Sequence, residues 1–121
     1  MRTIRFSGII LLACSLMLGA GAAMAHARLL ASVPGPDAVG PAPASVRLQF
    51  SEPIARSLSH LLLRSADGTS VALVPVQVAQ DNVLEARPAL PLRPGPYTIS
   101  WIAVASDDGH RTSGAFRFTV R

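Results

Sequence analysis

The sequence predicts an all-β protein built as one β-sandwich of about seven short strands. Three observations support this fold class. Apolar and polar residues alternate with a period of two in several segments, and no segment sustains the 3.6-residue period of an amphipathic helix. Gly, Pro and Asp-Gly turn signals separate those segments. Residues 26–121 are about a hundred residues long, which suits one domain with one core.

Strands in the first half of this region are predicted from alternation and turn residues. An N-terminal strand is expected to begin at His26, followed by a Pro-rich connector over residues 33–44. Residues 46–51 alternate apolar with polar side chains, as a half-buried strand does. Residues 59–64 form the next candidate strand, which the Asp67-Gly68 turn signal ends.

The second half contains four further candidate strands. Residues 71–78 are interrupted by Pro75, which favours an edge strand or a bulge because proline cannot donate to a ladder. Residues 82–86 form a short strand, and a Pro-Gly-Pro turn precedes a long strand over 97–105. Residues 111–120 close the chain. The aromatic residues of these strands are expected in the core: Phe50, Tyr97, Trp101, Phe116 and Phe118.

Residues 1–25 have the pattern of a cleaved secretion signal. Arg2 and Arg5 supply a positive start, residues 9–18 are mostly apolar, and Ala23-Met24-Ala25 matches an Ala-x-Ala cleavage site. The predicted mature domain therefore spans residues 26–121 and begins with His26, and the apolar run is too short for a membrane span. An alternative is cleavage ahead of Cys14, as in a lipoprotein; it would remove the case for a free His26.

The composition of the mature domain argues against a disulfide framework, a sulfur-based metal site and nucleic-acid binding. The chain's one Cys and three Met all lie in residues 1–25, so residues 26–121 contain neither a disulfide nor a thioether. The basic residues of the mature domain are arginines scattered singly, which is not the footprint of a nucleic-acid-binding protein.

Two polar features predict a metal site. A free N-terminal His26 offers its amine and its ring nitrogen to one ion, and Asp107-Asp108-Gly109-His110 supplies a second imidazole and a carboxylate. Three nitrogens and one carboxylate oxygen form a tetragonal copper(II) site if the fold joins them. Two simpler interpretations stay open, namely a turn with a capping aspartate and an accidental terminal histidine. The remaining histidine, His60, is expected to be a partly exposed strand residue.

The chain resembles the CopC family of periplasmic copper-resistance proteins over essentially the whole mature domain. The resemblance rests on the signal ending at His26, the segments Phe50-Ser51-Glu52-Pro53 and Pro94-Gly95-Pro96-Tyr97, Trp101, and the ending from Asp108-Gly109-His110 to Phe118. It implies a Greek-key sandwich or barrel, immunoglobulin-like or cupredoxin-like. It also implies one copper(II) ion bound by the amine and imidazole of His26, the imidazole of His110 and the carboxylate of Asp108. Glu52 is expected in the outer shell of that site.

The function expected from this resemblance is that of a periplasmic protein that binds copper(II) and sequesters or delivers it, and not that of an enzyme. The Met-rich copper(I) site of some family members is missing. An inner-membrane copper transport protein is the expected partner, and the mature domain is not expected to be membrane-embedded. Two alternatives are a copper monooxygenase-like enzyme with an N-terminal histidine chelate and a metal-free sandwich that acts as an interaction module.

Overall fold

A computed structural model describes residues 26–121; the predicted signal peptide, with its alternative lipid attachment at Cys14, lies outside the described residues. Eight strands are present. In chain order they are β1 (Leu29–Val33), β2 (Val39–Gly40), β3 (Val46–Phe50), β4 (His60–Ser65), β5 (Leu73–Pro75), β6 (Val83–Pro88), β7 (Gly95–Val104) and β8 (Arg111–Val120).

The strands form two four-stranded sheets that pack face to face. One sheet has the order β1-β3-β6-β5 and the other the order β2-β8-β7-β4. All pairings are antiparallel except that of β2 with β8. The predicted Greek-key β-sandwich is therefore confirmed. Residues 26–121 contain no helix, and so none that could cross a membrane.

Five predicted strands agree with the structure to within two residues at each end, and three other segments differ. The last strand has the predicted bounds, and Pro75 ends an edge strand, where its missing N–H costs no ladder bond. The strand expected from His26 begins three residues later, at Leu29. The segment 71–78 narrows to the three residues of β5. The Pro-rich connector contains β2, which is too short to show any periodicity.

The core lies between the two sheets and contains the predicted aromatic residues. Phe50, Tyr97, Trp101 and Phe118 are buried, and Phe116 packs against them half-buried. The rings of Phe50 and Trp101 meet edge to face at 5.2 Å, so this contact joins strands of opposite sheets. Since no described aromatic residue is fully exposed, the aromatic surface goes to packing the core.

One end of the sandwich brings three chain segments together. The long β7–β8 hairpin runs in register from Gly95–Val120 to Val104–Arg111, and residues 105–110 connect its strands. Leu29 pairs with Phe50, so the start of β1 lies at the end of β3. An isolated bridge joins the segment after β3 to the start of the 105–110 loop. Residues 26–28 therefore lie at the same end as that loop.

Candidate metal centre

His26 and His110 lie side by side at this end of the sandwich. Their ring centroids are 3.7 Å apart, and the ring planes are inclined by 37°. His26 precedes β1 and His110 precedes β8, so the contact joins opposite sheets and distant parts of the sequence. The structure thus provides the adjacency on which the predicted site depends.

The segment that carries His26 is fixed by hydrogen bonds on both sides. The Thr112 hydroxyl donates to the carbonyl oxygen of Ala27 at 2.6 Å, and Ala27 is fully buried. The Ser51 hydroxyl donates to the carbonyl oxygen of His26 at 3.2 Å and accepts the N–H of Arg28 at 2.9 Å. The N–H of Ser51 also donates to the Arg28 carbonyl. Residues 26–28 are therefore held between the end of β3 and the start of β8.

The loop before β8 sets the position of His110. The Ala105 N–H donates to the His110 carbonyl at 2.9 Å, and the Gly109 N–H donates to the Ala105 carbonyl at 3.0 Å. The His110 N–H donates to Oδ1 of Asp108 at 2.9 Å. Gly109 has a φ of 69°, a left-handed conformation that glycine adopts without a steric penalty. The Asp-Gly-His sequence therefore forms a tight turn that presents the imidazole.

Asp108 is exposed and serves as a turn acceptor in the structure. Its Oδ1 accepts the His110 N–H, as the capping interpretation predicts. Among residues 26–121, no group of three His, Cys, Asp or Glu side chains is arranged to hold a metal ion. The structure brings together two of the three predicted side chains, His26 and His110, while the Asp108 carboxylate is hydrogen-bonded to the backbone N–H of His110. Its role as a ligand stays a prediction.

The ring nitrogen Nδ1 of His26 is buried and, within the described part of the chain, has no hydrogen-bond partner. Leaving a buried polar atom unpaired costs about 1–3 kcal/mol, so such atoms call for a physical explanation. A metal ion bound to the lone pair of this nitrogen would supply the missing partner. The chemistry of the donors present, two imidazoles with a carboxylate nearby, fits copper(II).

Glu52 lies between two residues that contact the segments of the site. Ser51 holds the His26 carbonyl, and the Pro53 carbonyl accepts the N–H of Ser106 at 3.0 Å. The Glu52 side chain is half-buried, and no hydrogen bond or ion pair joins it to another residue of the 26–121 region. This placement is compatible with the predicted outer-shell role but does not test it.

Two other acidic or histidine residues lie outside the pair. Asp107 is exposed, and its Oδ1 accepts the N–H of Asp108. His60 is exposed on β4 opposite Ile102, as expected for a strand histidine. The roles of Ser51 and Thr112 are not evident from the sequence, because hydroxyl residues at strand ends are common and only the fold shows which backbone groups they reach.

Comparison with known proteins gives the site a context. A CopC domain model matches residues 29–121. The chain is 32% identical over 112 residues to copper resistance protein C of Pseudomonas syringae pv. tomato, covering 87% of this chain and 88% of that protein. It superposes on the crystal structure of PcoC, a methionine rich copper resistance protein from Escherichia coli, with a TM-score of 0.72 and 32% identity, covering 79% and 99% of the two chains. Of the two expected sandwich types, the fold is the cupredoxin-like one.

A further similarity places the same domain inside a longer protein. The chain is 28% identical over 99 residues to copper transport protein CutJ of Bacillus subtilis. The match covers 79% of this chain and 18% of CutJ. In that relative, the region similar to this chain is therefore one part of a much larger polypeptide.

Proposed function

The chain belongs to the CopC family of copper-resistance proteins, and on that premise we propose that its mature form, residues 26–121, is a periplasmic copper(II)-binding protein. It binds one ion and either sequesters it or passes it on. The observation that carries the proposal is the contact between the two imidazole rings of His26 and His110, whose centroids are 3.7 Å apart, together with the buried Nδ1 of His26, which has no hydrogen-bond partner among residues 26–121.

Cleavage of the signal peptide completes the proposed donor set. In the full-length chain the backbone nitrogen of His26 is an amide joined to Ala25, and an amide nitrogen is a poor ligand unless it loses its proton. Cleavage after Ala25 converts it into a primary amine on the residue that carries the ring. The amine, the two imidazoles and the Asp108 carboxylate then provide three nitrogens and one oxygen, a set that suits tetragonal copper(II).

The proposed oxidation state follows from the donor atoms available. Copper(I) prefers the soft sulfur atoms of Met and Cys, and every Met and Cys of this chain lies in residues 1–25. The similar PcoC is described as methionine rich. A mature domain without sulfur ligands is therefore proposed to handle copper(II) alone, which separates it from carriers that use two sites of different oxidation state.

A binding role is favoured over an enzymatic one. Several relatives, among them copper resistance protein C of Pseudomonas syringae pv. tomato and copper transport protein CutJ of Bacillus subtilis, are named for copper resistance or copper transport. A copper monooxygenase that acts on a broad substrate would display aromatic residues at its surface. Here the aromatic residues are packed in the core. A copper transport protein of the inner membrane is the proposed partner, because in CutJ a similar domain forms part of a longer copper transport protein.

The test of this proposal is a copper(II) titration of the mature protein, compared with a variant that carries one extra alanine ahead of His26. We expect one equivalent to bind, and we expect the extension to weaken binding by at least about 100-fold, since loss of an outer-shell partner alone costs about 10–100-fold. An extra alanine after Arg121 is the matched control and should leave binding unchanged. Equal affinities for all three proteins would refute the amine chelate.

A further inference from the structure

Thr112 links the segment that carries His26 to the segment that carries His110. We infer that Thr112 is a positioning residue for the copper site, because its hydroxyl ties Ala27 to the start of β8, directly after His110. Ser51 provides a second tie on the opposite side. The inference rests on the proposed function and adds to it the residues that set the separation of the two imidazoles before any metal binds.

The geometry assigns the Thr112 hydroxyl to the N-terminal segment. A hydroxyl has one proton to donate, and the Ala27 carbonyl oxygen lies at 2.6 Å, while the alternative acceptor, the Ala103 carbonyl oxygen, lies at 3.5 Å. Thr112 is the second residue of β8, and His110 is the last residue of the loop before that strand. The anchor therefore lies within two residues of the proposed ligand.

Ser51 holds the same N-terminal segment, residues 26–28, from the side of the other sheet. It forms three hydrogen bonds to residues 26–28, two through its hydroxyl and one through its N–H. The strand that Ser51 directly follows, β3, belongs to the sheet that does not contain β8. The N-terminal segment is thus fixed to both sheets within two residues of His26.

Such ties are important because His26 becomes a chain terminus after cleavage. Terminal residues are poorly ordered unless the structure holds them. A site whose ligands are ordered only part of the time binds with an affinity reduced by the fraction of competent molecules. Loosening the Ala27 tie should therefore weaken copper(II) binding even though Thr112 contacts no metal.

The test uses three variants of the mature protein. Thr112→Val keeps the shape of the side chain and removes the hydroxyl, Thr112→Ser restores a hydroxyl, and Thr119→Val makes the same change near the far end of β8. Copper(II) affinity is measured by competition with a chelator, at a temperature where circular dichroism shows every variant folded. EPR spectra are recorded at one equivalent, and amide exchange at Arg28, whose N–H donates to Ser51, is followed without metal.

We expect Thr112→Val to bind about fivefold more weakly, the equivalent of one net hydrogen bond, and to give a broadened or second EPR signal. Exchange at Arg28 should rise in the same variant. Thr112→Ser should recover most of the affinity and the single signal, and Thr119→Val should match the wild type. A merely structural loss would change the unfolding free energy but leave the affinity and the spectrum of the folded protein unaltered.

The outcomes separate the inference from the proposed function. If Thr112→Val exchanges at Arg28 like the wild type, or binds copper(II) with the same affinity and spectrum, the positioning role is overturned while the copper site stands. If Thr112→Val loosens the segment but the wild type binds no copper(II), the proposed function fails, and the tie has no copper site to position.

Discussion

Replacement of Gly109 by alanine tests how closely the loop geometry controls the site. Gly109 has a φ of 69°, and no heavy atom outside its chain neighbours lies within 4 Å of the position of an added Cβ. The cost is therefore confined to the backbone. A left-handed alanine costs about 1–2 kcal/mol, and reduced freedom of the unfolded chain returns about 0.4–1 kcal/mol, so we expect a net loss of about 1 kcal/mol.

The copper affinity should fall as well if the loop relaxes to relieve this strain. The turn is closed by the bonds from Gly109 to Ala105 and from His110 to Asp108, so a change of φ at residue 109 moves the His110 imidazole relative to His26. Converting the same free energy into affinity gives a loss of about five- to tenfold.

Gly68 offers a matched control at the opposite end of the molecule. Its φ is 83°, and no heavy atom lies within 4 Å of an added Cβ, so Gly68→Ala carries the same backbone penalty. The turn of Gly68 follows Ser65, which pairs with Tyr97 on β7. The 105–110 loop follows Val104, which lies about 23 Å from Tyr97 along the same strand. Urea unfolding of metal-free protein and chelator competition for copper(II) measure the two effects. Equal copper affinity in both variants, at equal loss of stability, would refute the role given to the loop.

Two further substitutions test the packing and the turn chemistry. In Gly114→Ala, the new Cβ would lie 2.6 Å from Cζ2 of the buried Trp101, so urea unfolding should show a loss of about 1–3 kcal/mol in unfolding free energy. Gly40→Ala, with open space around the new Cβ, is the control and should change the unfolding free energy by less than about 0.5 kcal/mol. Equal values for the two variants would contradict the close contact. The Ser65 hydroxyl, together with the backbone N–H of the turn, lowers the pKa of Asp67 from 3.8 to about 2, so the ionised carboxylate stabilises the fold above pH 3.8 and this contribution is lost as the pH falls through about 2. The difference in unfolding free energy between wild type and Asp67→Asn should shrink over that interval, and a difference that does not vary with pH would be inconsistent with the shift.

The strands that the sequence predicts well are those whose pattern is local. The last strand alternates apolar and polar residues from Phe116 to Val120 and has the predicted bounds, and Pro75, which favours an edge strand or a bulge, lies in an edge strand. β2 could not be predicted, because two residues carry no period and its partner, β8, lies at the other end of the chain. The start of β1 was placed too early, since residues 26–28 are held by side-chain hydrogen bonds instead of a strand ladder.

The candidate site divides in the same way. His26 and His110 could be singled out by their chemistry, and the fold places their rings together. Thr112 and Ser51 could not be found, because their partners are backbone N–H and C=O groups that nearly any residue type would supply. The motif predicts Asp108 as a ligand, and the structure shows its carboxylate accepting the N–H of His110 within the turn.

The most direct measurement of the central claim is EPR spectroscopy of the mature protein, of confirmed N-terminus, with one equivalent of copper(II) and ¹⁵N in histidine only. Every nitrogen in the proposed coordination plane belongs to a histidine: the amine and ring of His26 and the ring of His110. We expect an axial spectrum with coupling to three ¹⁵N nuclei, unchanged by His60→Gln. Strong ¹⁴N coupling, or a heterogeneous signal that disappears with His60→Gln, would contradict it.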